Sequence, residues 1–283
     1  MKKEKTTMVR LRFFALMIPF LIGLSVLASC EKVVDVKLRE SDQIVVIEGN
    51  VSNIETTHIV RISKTVAFSN NSTDNPQSNA VVRILEENAA DNPSSGFVVR
   101  PKGERTFTEI SPGVYQIVNY KANPGMKYTL TVDFENEHYT ASSIMPQPIL
   151  IDSIGTVTES VFGDEEKTVG LVFQDPPGVK NYFRYLVTVN GVPSNLVFAF
   201  NDKFNDGKKV QRNLYHEDLE LVRGDAVMVE QQCIDGAVYA YFNGILSNNS
   251  GAAAPGNPKS NFSNGALGYF SAHTIARAAT SIE

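Results

Sequence analysis

The chain has no tryptophan and only two cysteines among its 283 residues, and each scarcity excludes a class of interpretation. None of the four histidines pairs with another at metal-ligand spacing, and no Cys-x-x-Cys motif occurs, which excludes a zinc site of standard spacing. A Gly-x-Ser-x-Gly elbow and a Ser-x-x-Lys with its partner motifs are also missing, so the common serine-hydrolase signatures are excluded. The lack of tryptophan weakens a sugar-stacking platform.

The longest apolar run lies between Phe13 and Leu27, behind a basic N-terminus. It is short for a membrane span and is charged on its N-terminal side alone, as in a secretory signal peptide. The run ends in Leu27-Ala28-Ser29-Cys30, which resembles the lipobox of bacterial lipoproteins. The resemblance implies cleavage after Ser29 and lipid attachment at Cys30. An ordinary signal peptide followed by a chance cysteine is the alternative.

The lipobox predicts a signal peptide over residues 1–29 and a lipidated tether over residues 30–42. Each buried methylene contributes about 0.8 kcal/mol, so two or three acyl chains would hold the protein on a membrane. With Cys30 lipidated, Cys233 is the only other cysteine, which excludes an intrachain disulfide. Residues 30–283 carry 21 basic and 30 acidic residues, a net charge of −9, which argues against nucleic acid and anionic lipid as partners.

The sequence between residues 43 and 147 consists of short β-type runs separated by turn residues. Ile44–Val51 is rich in β-branched residues, and His58–Ser63 alternates apolar and polar side chains. Runs of this kind recur at about ten-residue spacing, which is typical of a β-sandwich. Pro146-Gln147-Pro148 then breaks the pattern and predicts a domain boundary.

Residues 148–283 are predicted to form a second β-rich domain with a helix near residues 235–247. Four apolar residues of this segment recur at helical spacing, and Asp235 precedes them as a cap. They are Val238, Tyr241, Phe242 and Ile245. The predicted fold class is therefore all-β, with one or two helices in the C-terminal half.

Seven segments in order are similar to the Bacteroidota lipoproteins classed as domain of unknown function 4249. The segments are Cys30–Val34, Val46–Gly49, Pro112–Tyr115, Ile151–Ile154, Phe173–Gly178, Asn181–Tyr185 and Asn264–Ala272. The resemblance implies a role at the outer membrane, because such proteins are often encoded beside TonB-dependent receptors. It supplies no catalytic residues.

Residues 80–147 also resemble the transthyretin-like, carboxypeptidase-regulatory type of β-sandwich. The similarity is carried by Ala80–Ile84, Gly113–Tyr115 and Pro124–Leu130. Modules of this type usually serve as structural or binding units, so the resemblance implies a scaffold in the N-terminal half.

Two short motifs suggest small sites. Asn201–Gly207 resembles a calcium loop, but as an EF-hand it would place Phe204 at position three and Asn213 at position twelve, which is wrong for that motif. An irregular calcium site through Asp202 and Asp206 is the minor alternative to an ordinary polar turn, and we predict no metal or cofactor. Asp152-Ser153-Ile154 resembles the signal for O-glycosylation of exported Bacteroides proteins, which implies Ser153 as an acceptor.

The leading functional hypothesis is a non-enzymatic accessory or binding lipoprotein of an outer-membrane nutrient receptor. A hydrolase would need carboxylates such as Asp202, Asp206 or Glu217 to converge, whereas an adhesin-type structural protein would need an open edge strand. The polar segment Asn248–Lys259, with Phe262 and Tyr269 nearby, is the leading site for a partner. A loop without a role is the alternative.

Overall fold

The computed structural model describes residues 42–66, 75–89, 103–161, 163–249 and 256–283. These residues belong to one compact unit spanning Asp42–Glu283. The predictions for the signal peptide, Ser29, Cys30 and the tether up to Ser41 lie outside the described residues. The same is true of most of the predicted partner loop, because residues 250–255 are not described.

Sixteen strands and one helix are found in the described residues. The first eight strands are β1 Val45–Ser52, β2 Thr56–Lys64, β3 Val81–Asn88, β4 Gly103–Thr106, β5 Thr108–Ser111, β6 Val114–Tyr120, β7 Met126–Phe134 and β8 Glu137–Ile144. The others are β9 Ser153–Val161, β10 Asp164–Gln174, β11 Tyr182–Val189, β12 Val192–Pro193, β13 Phe198–Asn201, β14 Lys209–Asn213, β15 Ala226–Ile234 and β16 Leu267–Ser281, with α1, Gly236–Asn249, before β16.

One large sheet connects the two halves of the sequence. Its strand order is β12-β11-β15-β16-β1-β2-β6-β5, and β13 pairs with β11 outside this path. Strand β16 pairs in parallel with β1 and antiparallel with β15, so it lies between strands from opposite halves of the chain. The backbones of β16 and β1 approach each other closely at Gly268, because a Cβ at this position would lie 2.1 Å from the carbonyl oxygen of Ile47.

Two smaller sheets pack on the large one and form two hydrophobic cores. The sheet β4-β3-β7-β8 encloses the first core, and the sheet β14-β10-β9 encloses the second. We call these halves the first and the second sandwich. Strand β16 contributes Phe270 and Ala272 to the first core, and Ile282 just beyond it belongs to the second. Even-numbered β16 residues therefore face the small sheets, since side chains alternate along a strand.

Helix α1 covers part of the opposite face of the large sheet. Its Val238 and Phe242 form a third cluster with Tyr269, an odd-numbered residue of β16. Asp235 caps the helix, because its Oδ1 accepts hydrogen bonds from the backbone N–H groups of Ala237 and Val238, both at 2.9 Å. The predicted helix near residues 235–247 and its cap are thus confirmed.

The all-β fold class is also confirmed. Residues 145–152, which include the predicted boundary, contain no strand. Met145 belongs to the first hydrophobic core, whereas Ile149 belongs to the second. Separate domains over residues 43–147 and 148–283 stay a prediction, and β16 is a strand that such domains would share. Strand β16 is continuous over its 15 residues.

Candidate functional site

Three aspartates from separate segments converge at one end of the second sandwich. Asp175 follows β10, Asp202 follows β13, and Asp206 lies in the turn before β14. One carboxylate oxygen from each lies within 4.8 Å of the others. Asp175 and Asp202 are buried, whereas Asp206 is exposed. The turn-forming sequences Asp175–Gly178 and Asn205–Gly207 bring these carboxylates together.

Each carboxylate of the cluster already accepts hydrogen bonds from a neighbouring loop. Asp202 Oδ2 accepts from the backbone N–H of Asn181 at 2.7 Å, and Asp206 Oδ1 accepts from that of Gly178 at the same distance. Asp175 Oδ2 accepts from the N–H of Gly207 at 3.1 Å. The cluster therefore ties the loop after β10 to the loop between β13 and β14.

The electrostatics of the cluster are unfavourable for Asp175. Burial raises the pKa of its carboxyl group above the usual value, and the charges of Asp202 and Asp206 raise it further. The hydrogen bonds from Gly207 and Asn181 oppose this rise. The Asp175 side chain is fully buried.

The cluster offers the hard oxygen ligands that calcium prefers. Asp175, Asp202 and Asp206 are the residues that could hold such an ion. Hydrogen bonds between the two loops are sufficient to explain this arrangement without a ligand. The prediction that the protein holds no metal is not tested by the structure and stays a prediction. Sequence analysis found Asp202 and Asp206 but overlooked Asp175, although the Asp-Pro-Pro-Gly turn marked it. Glu217 is exposed and is not part of this cluster.

Two other predicted residues have clear structural positions. Ser153 begins the edge strand β9 and is exposed, as an acceptor of O-glycosylation must be. Its modification stays a prediction. Cys233 is buried, and burial raises the pKa of its thiol above the usual range. A protonated, inaccessible thiol is a poor nucleophile.

The two aromatic residues expected to meet a partner are mostly buried. Phe262 belongs to the first core and is 8% exposed, while Tyr269 is 7% exposed beneath α1. Little of either ring is therefore at the surface. Asn261, beside Phe262, has a structural role, because its side chain bonds both the N–H and the carbonyl of Phe270. The partner role of Phe262 and Tyr269 stays a prediction.

Several residues of the signature segments have structural roles. A Cβ on Gly113 would lie 2.5 Å from the carbonyl oxygen of Ile62, and its φ of +72° also favours glycine. The Tyr115 hydroxyl donates to the carbonyl of Gln77 and accepts from the N–H of Ala80. These positions fix turns and strand contacts, which explains why a glycine and a tyrosine stand there.

Comparison with known protein families gives a match over most of the chain. The family model for the domain of unknown function DUF4249 matches residues 31–278. No curated protein matches the chain. Within the described ranges, no helix has the length and apolar character needed to span a bilayer. Because the family model covers most of the sequence, the chain belongs to the family of domain of unknown function 4249.

Proposed function

We propose that this protein is an outer-membrane-anchored lipoprotein that acts as a non-enzymatic accessory or binding component of a TonB-dependent nutrient receptor. The observation that carries the proposal is the position of the family match. It begins at residue 31, directly after the lipobox cysteine Cys30. The family region is then the mature body, and the preceding segment is its export signal.

The two sandwiches support a binding role. Each core is covered by a small sheet, and the shared sheet makes a scaffold on which surface loops can vary. We also propose that residues 43–147 are transthyretin-like and that the protein comes from a member of the Bacteroidota. Both proposals rest on sequence resemblance and agree with a sandwich in that region.

One observation favours the hydrolase alternative. Asp202 and Asp206 converge with Asp175, as a carboxylate-based site would require. The buried side chains of Asp175 and Asp202 and their hydrogen bonds to backbone N–H groups favour a structural role instead. The binding hypothesis is therefore the better supported of the two.

The adhesin alternative needs an open strand edge for a donor strand. The outer edge of β8 is partly closed, because Ser263 N–H donates to the Thr140 carbonyl at 2.8 Å and Ala141 bridges to Phe262. Strand β4 is an edge strand whose four residues are all exposed. The four residues of β4 offer a short template, but the edge strand β9 has nine, so the adhesin alternative stays open.

Cys30→Ser tests the lipid anchor. The substitution removes the only sulfur that a lipobox could acylate, so labelling with a clickable fatty acid should be lost and unprocessed precursor should accumulate. Cys233→Ser is the matched control, because this second cysteine is buried and should not affect labelling. Labelling that survives Cys30→Ser would refute the anchor.

Copurification tests the receptor. The lipidated protein, isolated in mild detergent from cells that express it, should bring a TonB-dependent barrel with it. The Cys30→Ser form, which lacks the anchor, should recover less of the barrel. If no barrel copurifies with the lipidated protein, the accessory role loses its main support while the anchor is unaffected.

A further inference from the structure

The second sandwich contains an inward-facing arginine at its edge. Arg212 lies on the outer strand β14 between Val210 and Leu214, which are both buried in the core. Its Cζ lies 4.2 Å from the centroid of the Phe200 ring on β13. The side chain is half-buried, and its Nε is buried without a hydrogen-bond partner. Among the described residues, no carboxylate forms an ion pair with Arg212.

A buried hydroxyl lies near the same ring. The ring of Tyr185 is 5.9 Å from that of Phe200, and its side chain is fully buried. Among the described residues, none accepts the proton of its Oη. Burial raises the pKa of this hydroxyl, while the charge of Arg212 and a hydrogen bond from the Arg212 side chain oppose the rise. The hydroxyl is therefore protonated and is a hydrogen-bond donor without an acceptor.

Two unused donors around one aromatic ring are energetically unfavourable without a ligand. A buried polar group left without a partner loses its hydration without compensation, and the cost is greater when the group is charged. The other two largest buried tyrosines, Tyr115 and Tyr128, both have partners for their hydroxyls. A water molecule could accept from Tyr185, but it would leave the guanidinium charge unbalanced. An anion would satisfy both groups.

We propose that the edge of the second sandwich between β13 and β14 binds a carboxylate through Arg212 and Tyr185. The planar guanidinium fits the two oxygens of a carboxylate, and Nε–H is one of the donors of that fork. The tyrosine hydroxyl donates to one of the same oxygens.

The ligand carries an apolar or aromatic group beside its carboxylate. Phe200 flanks Arg212, and the adjacent Phe198 packs edge-on against His216 at 6.2 Å. Small aromatic acids and the free C-terminus of a peptide share this chemistry. The site uses residues 185–216 alone, so it does not depend on the lipid anchor or on the receptor.

The first experiment measures thermal unfolding of the soluble body, residues 42–283, which forms one compact unit. Benzoate is the probe, and benzamide is its neutral analogue of equal shape. At ten times its Kd, benzoate should raise Tm by about 3–6 °C, because it binds the folded state alone. Benzamide should leave Tm unchanged, since it cannot neutralise the guanidinium.

The variants assign the effect to the proposed residues. Arg212→Met keeps the length of the side chain without its charge, and it should abolish the benzoate shift while preserving the fold. Tyr185→Phe should weaken benzoate binding about tenfold, as expected for one lost hydrogen bond. Arg277→Met is the matched control, because Arg277 is an exposed arginine that pairs with Glu230 at 2.7 Å. It should keep the full shift.

The second experiment distinguishes the two sources of the carboxylate. A tripeptide that ends in phenylalanine is titrated with a free and with an amidated C-terminus. Tighter binding of the free acid than of benzoate, dependent on Arg212, identifies a peptide C-terminus, whereas the reverse order identifies a small organic acid. The proposal is overturned if neither acid shifts Tm, or if the shifts persist in Arg212→Met.

Discussion

The two sandwiches share a strand but treat their buried polar atoms differently. In the first sandwich, Tyr115 and Tyr128 each bond backbone groups of nearby loops through their hydroxyls. In the second, Tyr185 is equally buried, and no described residue accepts the proton of its hydroxyl. All five buried side-chain polar atoms without a partner among the described residues lie in strands of the second half, and they belong to Thr168, Tyr185, Arg212, Gln231 and Thr274.

The difference indicates separate roles for the two halves. A core whose polar groups are all paired is a scaffold, since nothing in it requires a further contact. A core that keeps unused donors next to an unpaired arginine loses stability in exchange for the ability to bind. Natural sequences commonly break local rules at functional sites. We infer from this contrast that the first sandwich serves as a scaffold and that the second binds the ligand.

The largest effect is expected at the strand that both sandwiches share. Gly268→Ala should destabilise the protein by about 4 kcal/mol or prevent folding, because its Cβ would lie 2.1 Å from the carbonyl oxygen of Ile47 at a φ of +91°. Gly265→Ala is the control, since it has a φ of +73° but open space around its Cβ. It should cost about 1–2 kcal/mol. Equal losses in urea unfolding would show that the close contact with β1 is unimportant.

A smaller effect is expected on acidification. His273 of β16 is completely buried, and burial together with the charges of Arg184 and His58 lowers its pKa to about 3. The unfolded chain binds a proton near pH 6.5, whereas the folded chain does not, so stability is complete above that pH and falls as the pH drops toward 3. Between pH 6.5 and pH 5 the loss from this residue is about 2 kcal/mol. His273→Gln should flatten the pH dependence of urea unfolding, and parallel curves for both proteins would contradict this.

A still smaller effect is expected at the aspartate cluster. Because the pKa of Asp175 is raised in the folded state, its ionisation costs stability as the pH rises above its unfolded value. Asp175→Asn keeps an oxygen for the N–H of Gly207 and removes a crowded charge. It should therefore stabilise the protein by about 1 kcal/mol or less at pH 7. Asp206→Asn, at the exposed member of the cluster, is the control. Clear destabilisation by Asp175→Asn would instead point to a bound cation.

The sequence predicted individual strands and the helix better than it predicted which strands pair with one another. Enrichment in β-branched residues identified β1, alternation of apolar and polar side chains identified β2, and the spacing from Val238 to Ile245 identified α1, because these signals are local. The parallel pairing of β1 with β16 was not predicted, since strands more than 200 residues apart have no short-range signal. Gly268 was noticed only as part of a signature segment.

The candidate sites show the same division. Asp202 and Asp206 lie in one turn and were recognised together, but Asp175 joins them only through the fold. Arg212 and Tyr185 were not singled out, because a charged residue in a short strand usually faces solvent. The inward direction of the Arg212 side chain follows from the register of β14 with β10, which pairs Arg212 with the buried Leu171.

The most direct test of the contrast compares Tyr128→Phe with Tyr185→Phe in ligand-free protein by urea unfolding. Tyr128→Phe leaves the backbone groups of Asn123 without their partner, so the account predicts a loss of about 1–3 kcal/mol. Tyr185→Phe removes a hydroxyl whose proton has no acceptor among the described residues, and the account predicts a change within about 0.5 kcal/mol or a gain. Equal losses in the two variants would contradict the assignment of recognition to the second sandwich.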